Sequence, residues 1–262
     1  MLAGVGLGVL GLGGVVLLRS RPEYTYYTYA NDGDIDNRRL RIAWYERYNG
    51  RLLETQAGPE NVSLDAALDP DSDPDYVTDA TLVTDVSGPV IAVGNVLPGD
   101  EGGLVVGLET LDSEEFIAEP LDVWLQATIT EDAEDGINEP EAVAGDTTAD
   151  GELDEDVLVE VWRDGSPLGT CNGRKEFDES FESPIVELAP VTRAFSPGTA
   201  LGSDSGVRVL PSLDPGRSRC IALAWTFPVD ATNRSQGDSV GFRLTFAGVP
   251  AGTESPFERG GA

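Results

Sequence analysis

Histidine is absent from all 262 residues, and lysine occurs once, as Lys175. Without imidazole the chain lacks the usual proton-transfer residue of neutral pH, and with it every zinc or iron site that relies on histidine. The two cysteines, Cys171 and Cys220, are too few for a cysteine-only zinc site. Positive charge is scarce: 17 basic residues face 47 acidic ones, a net charge of −30. Such a chain is repelled by nucleic acid and by anionic lipid, so neither is expected as a partner. No dinucleotide-binding or lysine-bearing phosphate loop is present. Apolar runs with helical period are also wanting.

What is present is an alternation of apolar runs and acidic, turn-rich stretches. Apolar residues make up 40% of the chain, enough for a core in one large all-β domain or two small ones. The acids lie between the apolar runs, which points to a solvated acidic coat on a folded body, suited to high salt.

Residues 2–18 carry no charge and are rich in glycine. The run is short for a membrane span and has the character of an export leader, with Arg19 and Arg21 after it. The expected divisions are 1–21 as export leader or uncleaved anchor, 22–37 as an extended segment, 38–247 as a β-sandwich and 248–262 as a flexible polar tail. A membrane would be met only through the leader. Tyr24, Tyr26, Tyr27 and Tyr29, spaced by threonines, make up a strand-forming segment. That stripe suits either a membrane interface or a strand accepted by a neighbouring subunit.

Strand expectations follow along the chain. LRIAWYERY (40–48) ends at the turn pair Asn49-Gly50. YVTDATLV (76–83) and PVIAVGNV (89–96) precede Pro98-Gly99, a type II turn signature. Gly102 and Gly103 then allow a bulge or a close backbone approach. PLDVWLQATI (120–129) puts Leu121, Val123, Leu125 and Ala127 on one face, and Asp122, Trp124 and Gln126 on a mixed face. VLVEVWRDG (157–165) ends in Asp164-Gly165, a hairpin signal. PIVELAPV (184–191), VRVL (207–210), the nearly all-apolar CIALAWTF (220–227) and DSVGFRLTF (238–246) complete the set. An all-β sandwich with long acidic loops follows.

The acidic segment 131–156 reads either as a solvated loop or as an irregular calcium site using some of Asp132, Asp135, Asn138, Glu139, Glu141 and Asp146. Aligning Gly136 with the glycine of a helix–loop–helix calcium loop puts Ala142 where the closing glutamate belongs, so that template fails. The aspartate-rich loop at 57–75 lacks the same elements and reads as solvated. Asn61 and Asn233 begin glycosylation acceptor triplets. Cys171 and Cys220 form a disulfide if the chain is exported, or two buried thiols if it is not. No carboxylate pair stands out from the acidic background as a hydrolytic couple, so no catalysis is expected.

TYYTYANDGD (25–34), LRIAWYERYNG (40–50), VLPGDEGGLVVGLET (96–110), GINEPE (136–141), GDTTADGELDED (145–156), CIALAWTFP (220–228) and GDSVGFRLTF (237–246) together resemble the TasA/camelysin family. Within it they resemble the haloarchaeal branch, whose leaders are of the SipW-cognate class. The resemblance spans residues 24–247 and implies a jelly-roll-like sandwich, secreted or held at the cell surface. It also implies self-association into matrix or surface fibres, in which residues 24–30 complete the sheet of the next subunit. A monomeric or membrane-tethered binding module, calcium-dependent or not, is the alternative. The metalloprotease activity ascribed to some relatives is not carried over, because HExxH is missing here.

Overall fold

The computed structural model describes residues 26–30, 40–53, 81–82, 88–110, 119–134, 136–147, 149–165, 171–175 and 182–257. The leader, Tyr24, Asn61, the 57–75 loop and Asp135 lie outside the described residues. The first half of the described chain holds β1 (Tyr26–Tyr29), β2 (Leu40–Tyr48), β3 (Arg51–Leu52), β4 (Thr81–Leu82), β5 (Val90–Gly94), β6 (Glu101–Thr110) and β7 (Leu121–Ala133). The second half holds α1 (Glu139–Ala144), α2 (Leu153–Asp156), β8 (Leu158–Asp164), β9 (Pro184–Pro190), α3 (Val191–Phe195), β10 (Val207–Leu213), β11 (Ser218–Thr226) and β12 (Ser239–Pro250).

The strands form an all-β sandwich of two sheets. The larger runs β4-β1-β2-β6-β11-β8-β9, with β3 on the end of β2; the smaller runs β10-β7-β12-β5. All pairings are antiparallel except β1 with β4. One core joins the sheets. Ile42, Leu104, Val106, Ile221 and Leu223 come from the larger, and Val123, Leu125, Phe242, Leu244 and Phe246 from the smaller. Period-two alternation puts these residues on the inner faces.

Local chemistry explains the turns. Asn49 and Gly50 both have positive φ, 47° and 73°, as a two-residue type I′ hairpin demands. Gly99, at φ 98°, takes the left-handed corner of a type II turn closed by the Asp100 N–H donating to Leu97 O at 2.9 Å. The Asp100 carboxylate accepts from the Leu97 N–H, Tyr48 hydroxyl and Asn49 amide, so it ties the two turns together. These bonds, led by the Leu97 N–H, hold its carboxyl below the usual range. Gly102 lies opposite both Tyr48 and Trp225 in unshifted register, and a Cβ there would enter the Trp225 indole. The glycine therefore serves a close approach rather than a bulge.

The larger sheet is also covered on its outer face. Ala43, Tyr45, Val105 and Ala222 are buried there. The Tyr45 hydroxyl donates to Cys171 O at 2.9 Å, and Gly173 sits against Val105. Cys171 is bonded to Cys220 at 5.8 Å between α-carbons, so the disulfide fastens this cover to β11. β11 lies between β6 and β8, which accounts for its almost wholly apolar sequence.

Three expectations need correction, and the mixed face of β7 gains a detail. Asp164-Gly165 makes no tight hairpin: β8 pairs with β9, which begins only at Pro184, and the Asp164 carboxylate accepts the Gly173 N–H at 2.8 Å. The mixed face of β7 is sealed at Asp122, which is 1% exposed and receives Arg208 and the Ser212 and Gly252 N–H groups. The tail is not loose over 248–257: β12 runs to Pro250, and buried Ser255 donates to Ser205 O. Finally, 131–156 is not a plain solvated loop. β7 continues to Ala133, and α1 and α2 follow.

Candidate functional site

The end of β7 and the start of β12 lie side by side, with Ala133 opposite Ser239. Around this end the chain gathers acids from four segments. α1 arranges two of them through its caps. Asn138 is the N-cap: its side-chain oxygen accepts the Glu141 N–H at 3.1 Å, and the Glu141 carboxylate accepts the Asn138 N–H at 2.5 Å. This is a reciprocal capping box, with Pro140 in the first turn. At the other end Gly145 adopts φ 92°. Its N–H donates to Ala142 O and the next N–H, of Asp146, to Glu141 O, a Schellman closure. Glu141 and Asp146 are thereby turned to the same side and buried, at 0% and 2% exposure.

The other acids arrive from outside the helix. Glu134 follows β7, and its Oε1 accepts the Gly136 N–H. Asp238 precedes β12, is 1% exposed, and accepts the Glu152 N–H through Oδ2 at 2.7 Å. The Asn138 amide donates to Gln236 O, docking α1 against the segment before β12. Oxygens of Glu134, Glu141 and Asp146 lie within 4.8 Å of one another, and so do oxygens of Glu134, Glu152 and Asp238. Two ionised carboxylates 4.8 Å apart repel by about 3 kcal/mol at an effective dielectric of about 20. Arg234 pairs with Glu152 at 3.3 Å on the rim.

Electrostatics record the crowding. Burial pushes the Asp238 carboxyl up to about 7; the Glu152 N–H works against this, and the Glu134 and Glu141 charges add to it. Burial, then Asp132 and Glu155, raises Asp154 to about 6. Glu141 Oε1, Asp238 Oδ1 and Glu134 Oε2 are buried with no hydrogen-bond partner.

Of the residues expected to bind calcium, the fold unites Glu141 and Asp146. Asn138 is present at the edge, but its side-chain oxygen is engaged in the cap. Glu139 is exposed in the first turn of α1. Asp132 is exposed beside Asp150 and Glu155, and partial desolvation, then those two charges, raises its carboxyl. Sequence reasoning missed Glu134, Glu152 and Asp238. The first two stand in the same acidic run, but Asp238 carries no signal beyond preceding a strand.

The other expected functional residues are placed as follows. Tyr26, Tyr27 and Tyr29 lie on β1, paired with Trp44, Ala43 and Arg41 of β2. Asn233 is exposed, whereas Ser235 of the same triplet is buried and donates to Asp156 at 2.6 Å. Among the described residues no helix is long and apolar enough to cross a membrane. No family model and no curated protein matches the chain.

Proposed function

We propose that the protein is a structural subunit of a cell-surface or matrix fibre, in which β1 is exchanged between neighbouring copies. The observation that carries this reading is the situation of β1. It is a four-residue strand inserted between β2 and β4, joined to β2 only through residues 30–39. Thr28 and Ala30 are buried, and Ala30 belongs to the core and donates its N–H to Leu40 O at 2.9 Å. A chain without this strand would expose the β2 edge from Arg41 to Trp44, with its unpaired N–H and C=O groups. The same bonds form equally well with β1 of a second copy, which is the economy of strand exchange. Repeated head to tail, the exchange builds an open fibre rather than a closed dimer.

The intramolecular disulfide supports an oxidising compartment, as export would provide. The acidic surface supports a high-salt setting, where screening removes self-repulsion between subunits. The test is sedimentation and negative-stain microscopy of the purified mature chain in concentrated salt. Fibres that grow with protein concentration are expected. Monomers at every concentration would instead favour a tethered or secreted binding module.

A further inference from the structure

We propose that Glu134, Glu141, Asp146, Glu152 and Asp238 bind one calcium ion, with Glu134 shared between the two halves of the site. The proposal is independent of the fibre reading.

Three of the five, Glu141, Asp146 and Asp238, are almost completely buried. Carboxylates are acceptors except where two share a proton, so five of them cannot all satisfy one another. Glu141 Oε1 and Asp238 Oδ1 lie buried in the cluster without a donor, although the opposite oxygen of each is held by a backbone N–H. Buried polar atoms of folded proteins are almost always partnered. The two groups of three share Glu134, and a cation bound beside it would supply the missing partner and cancel the repulsion between the groups.

The donor set selects the ion. The chain has no histidine, and both cysteines are in the disulfide, so only oxygen ligands are on offer. That excludes the soft and imidazole-preferring metals. Carboxylates from four segments, on loops and short helices, suit the large and irregular shell of calcium better than the strict octahedron of magnesium. Bound calcium would clamp the end of β7, α1, the approach to α2 and the start of β12 into one unit. The cap contacts of α1 already place Glu141 and Asp146 for this.

The experiment uses the full chain stripped with chelator and returned to concentrated salt at constant ionic strength. Calcium binding is followed by titration calorimetry and by melting, for the parent, Glu134→Gln, Asp238→Asn and the control Glu139→Gln. The parent and Glu139→Gln should each show one saturable site. At free calcium about ten times Kd their melting temperatures should rise by about 4 °C. Glu134→Gln and Asp238→Asn should bind at least about tenfold more weakly. Without calcium both should melt at or above the parent, because each removes a repelling charge. Heat that never saturates, an equal shift with magnesium, or calcium affinity unchanged in both site variants would overturn the proposal.

Discussion

Reduction of the Cys171–Cys220 bond gives a stability change that can be worked out beforehand. The cysteines are 49 positions apart, so the bond closes a loop of some fifty residues in the unfolded chain. The loop-entropy relation assigns such a closure about 4 kcal/mol at 25 °C. The native state should keep most of its contacts on reduction. The Tyr45 hydroxyl still reaches Cys171 O, and the Asp164 carboxylate still accepts the Gly173 N–H. The loss therefore falls on the unfolded side of the equilibrium. For a body of this size each kcal/mol moves the melting temperature by about 2–4 °C, so the reduced chain should melt about 8–16 °C lower. The assay is denaturant and thermal unfolding with and without reductant, with the thiols counted by mass spectrometry. The Cys171→Ala, Cys220→Ala double variant should track the reduced parent to within about 1 kcal/mol, the cost of the small cavity at buried Cys220. The tryptophan bands of the near-ultraviolet circular dichroism should be unchanged before the transition. Coincident unfolding curves for fully reduced and oxidised protein would refute the reasoning.

Two further substitutions probe the frame. Asp122→Asn should cost about 1–3 kcal/mol at neutral pH, because it weakens the partners of a buried charge. Burial alone would raise this carboxyl, but the Gly252 and Ser212 N–H groups and Arg208 outweigh burial and hold it below 3.8. Its contribution is thus present above pH 3.8 and lost as pH falls through the lower folded value, so parent and variant should converge in acid. A stability gap that persists unchanged at pH 2 would contradict this (pH 2 being about two units below an ordinary carboxylate). Gly102→Ala sets two effects against each other: a strand gains about 0.5–1 kcal/mol from the stiffer residue, while displacing the Trp225 indole costs about 1–3 kcal/mol. Net destabilisation with altered tryptophan fluorescence is expected, and a stabilised variant would mean that the indole does not lie over Gly102.

Much of the framework was legible because its signals are local. LRIAWYERY and β2 coincide, and Asn49-Gly50 and Pro98-Gly99 turn as their φ preferences require. The apolar run at 220–227 is central because it is buried on both faces. The failures share a cause, namely tertiary partners that override or complete a local pattern. Asp164-Gly165 has hairpin chemistry, but the Asp164 carboxylate is taken by Gly173 and its strand by residues 184–190. Asn138-x-x-Glu141 has the spacing of a capping box, yet it was hidden in a run read by its charge alone. Two of the five site acids, Glu141 and Asp146, were legible in that run, whereas Glu134 and Glu152 of the same run were not distinguished from its other acids. Asp238 enters only because β12 pairs with β7, a contact across more than a hundred residues. Tyr26, Tyr27 and Tyr29 were correctly read as strand, while Tyr24 lies outside the described residues.

Strand exchange is the central claim, and a disulfide trap tests it most directly. Thr28 and Ile42 face one another across β1 and β2. Cysteines at both positions should link β1 to the β2 it actually pairs with. The Thr28→Cys, Ile42→Cys chain would be assembled in concentrated salt, oxidised, and run on a denaturing gel without reductant. Exchange predicts a ladder of covalent multimers that collapses to monomer on reduction. Assembled fibres containing only internally bridged monomers would contradict it.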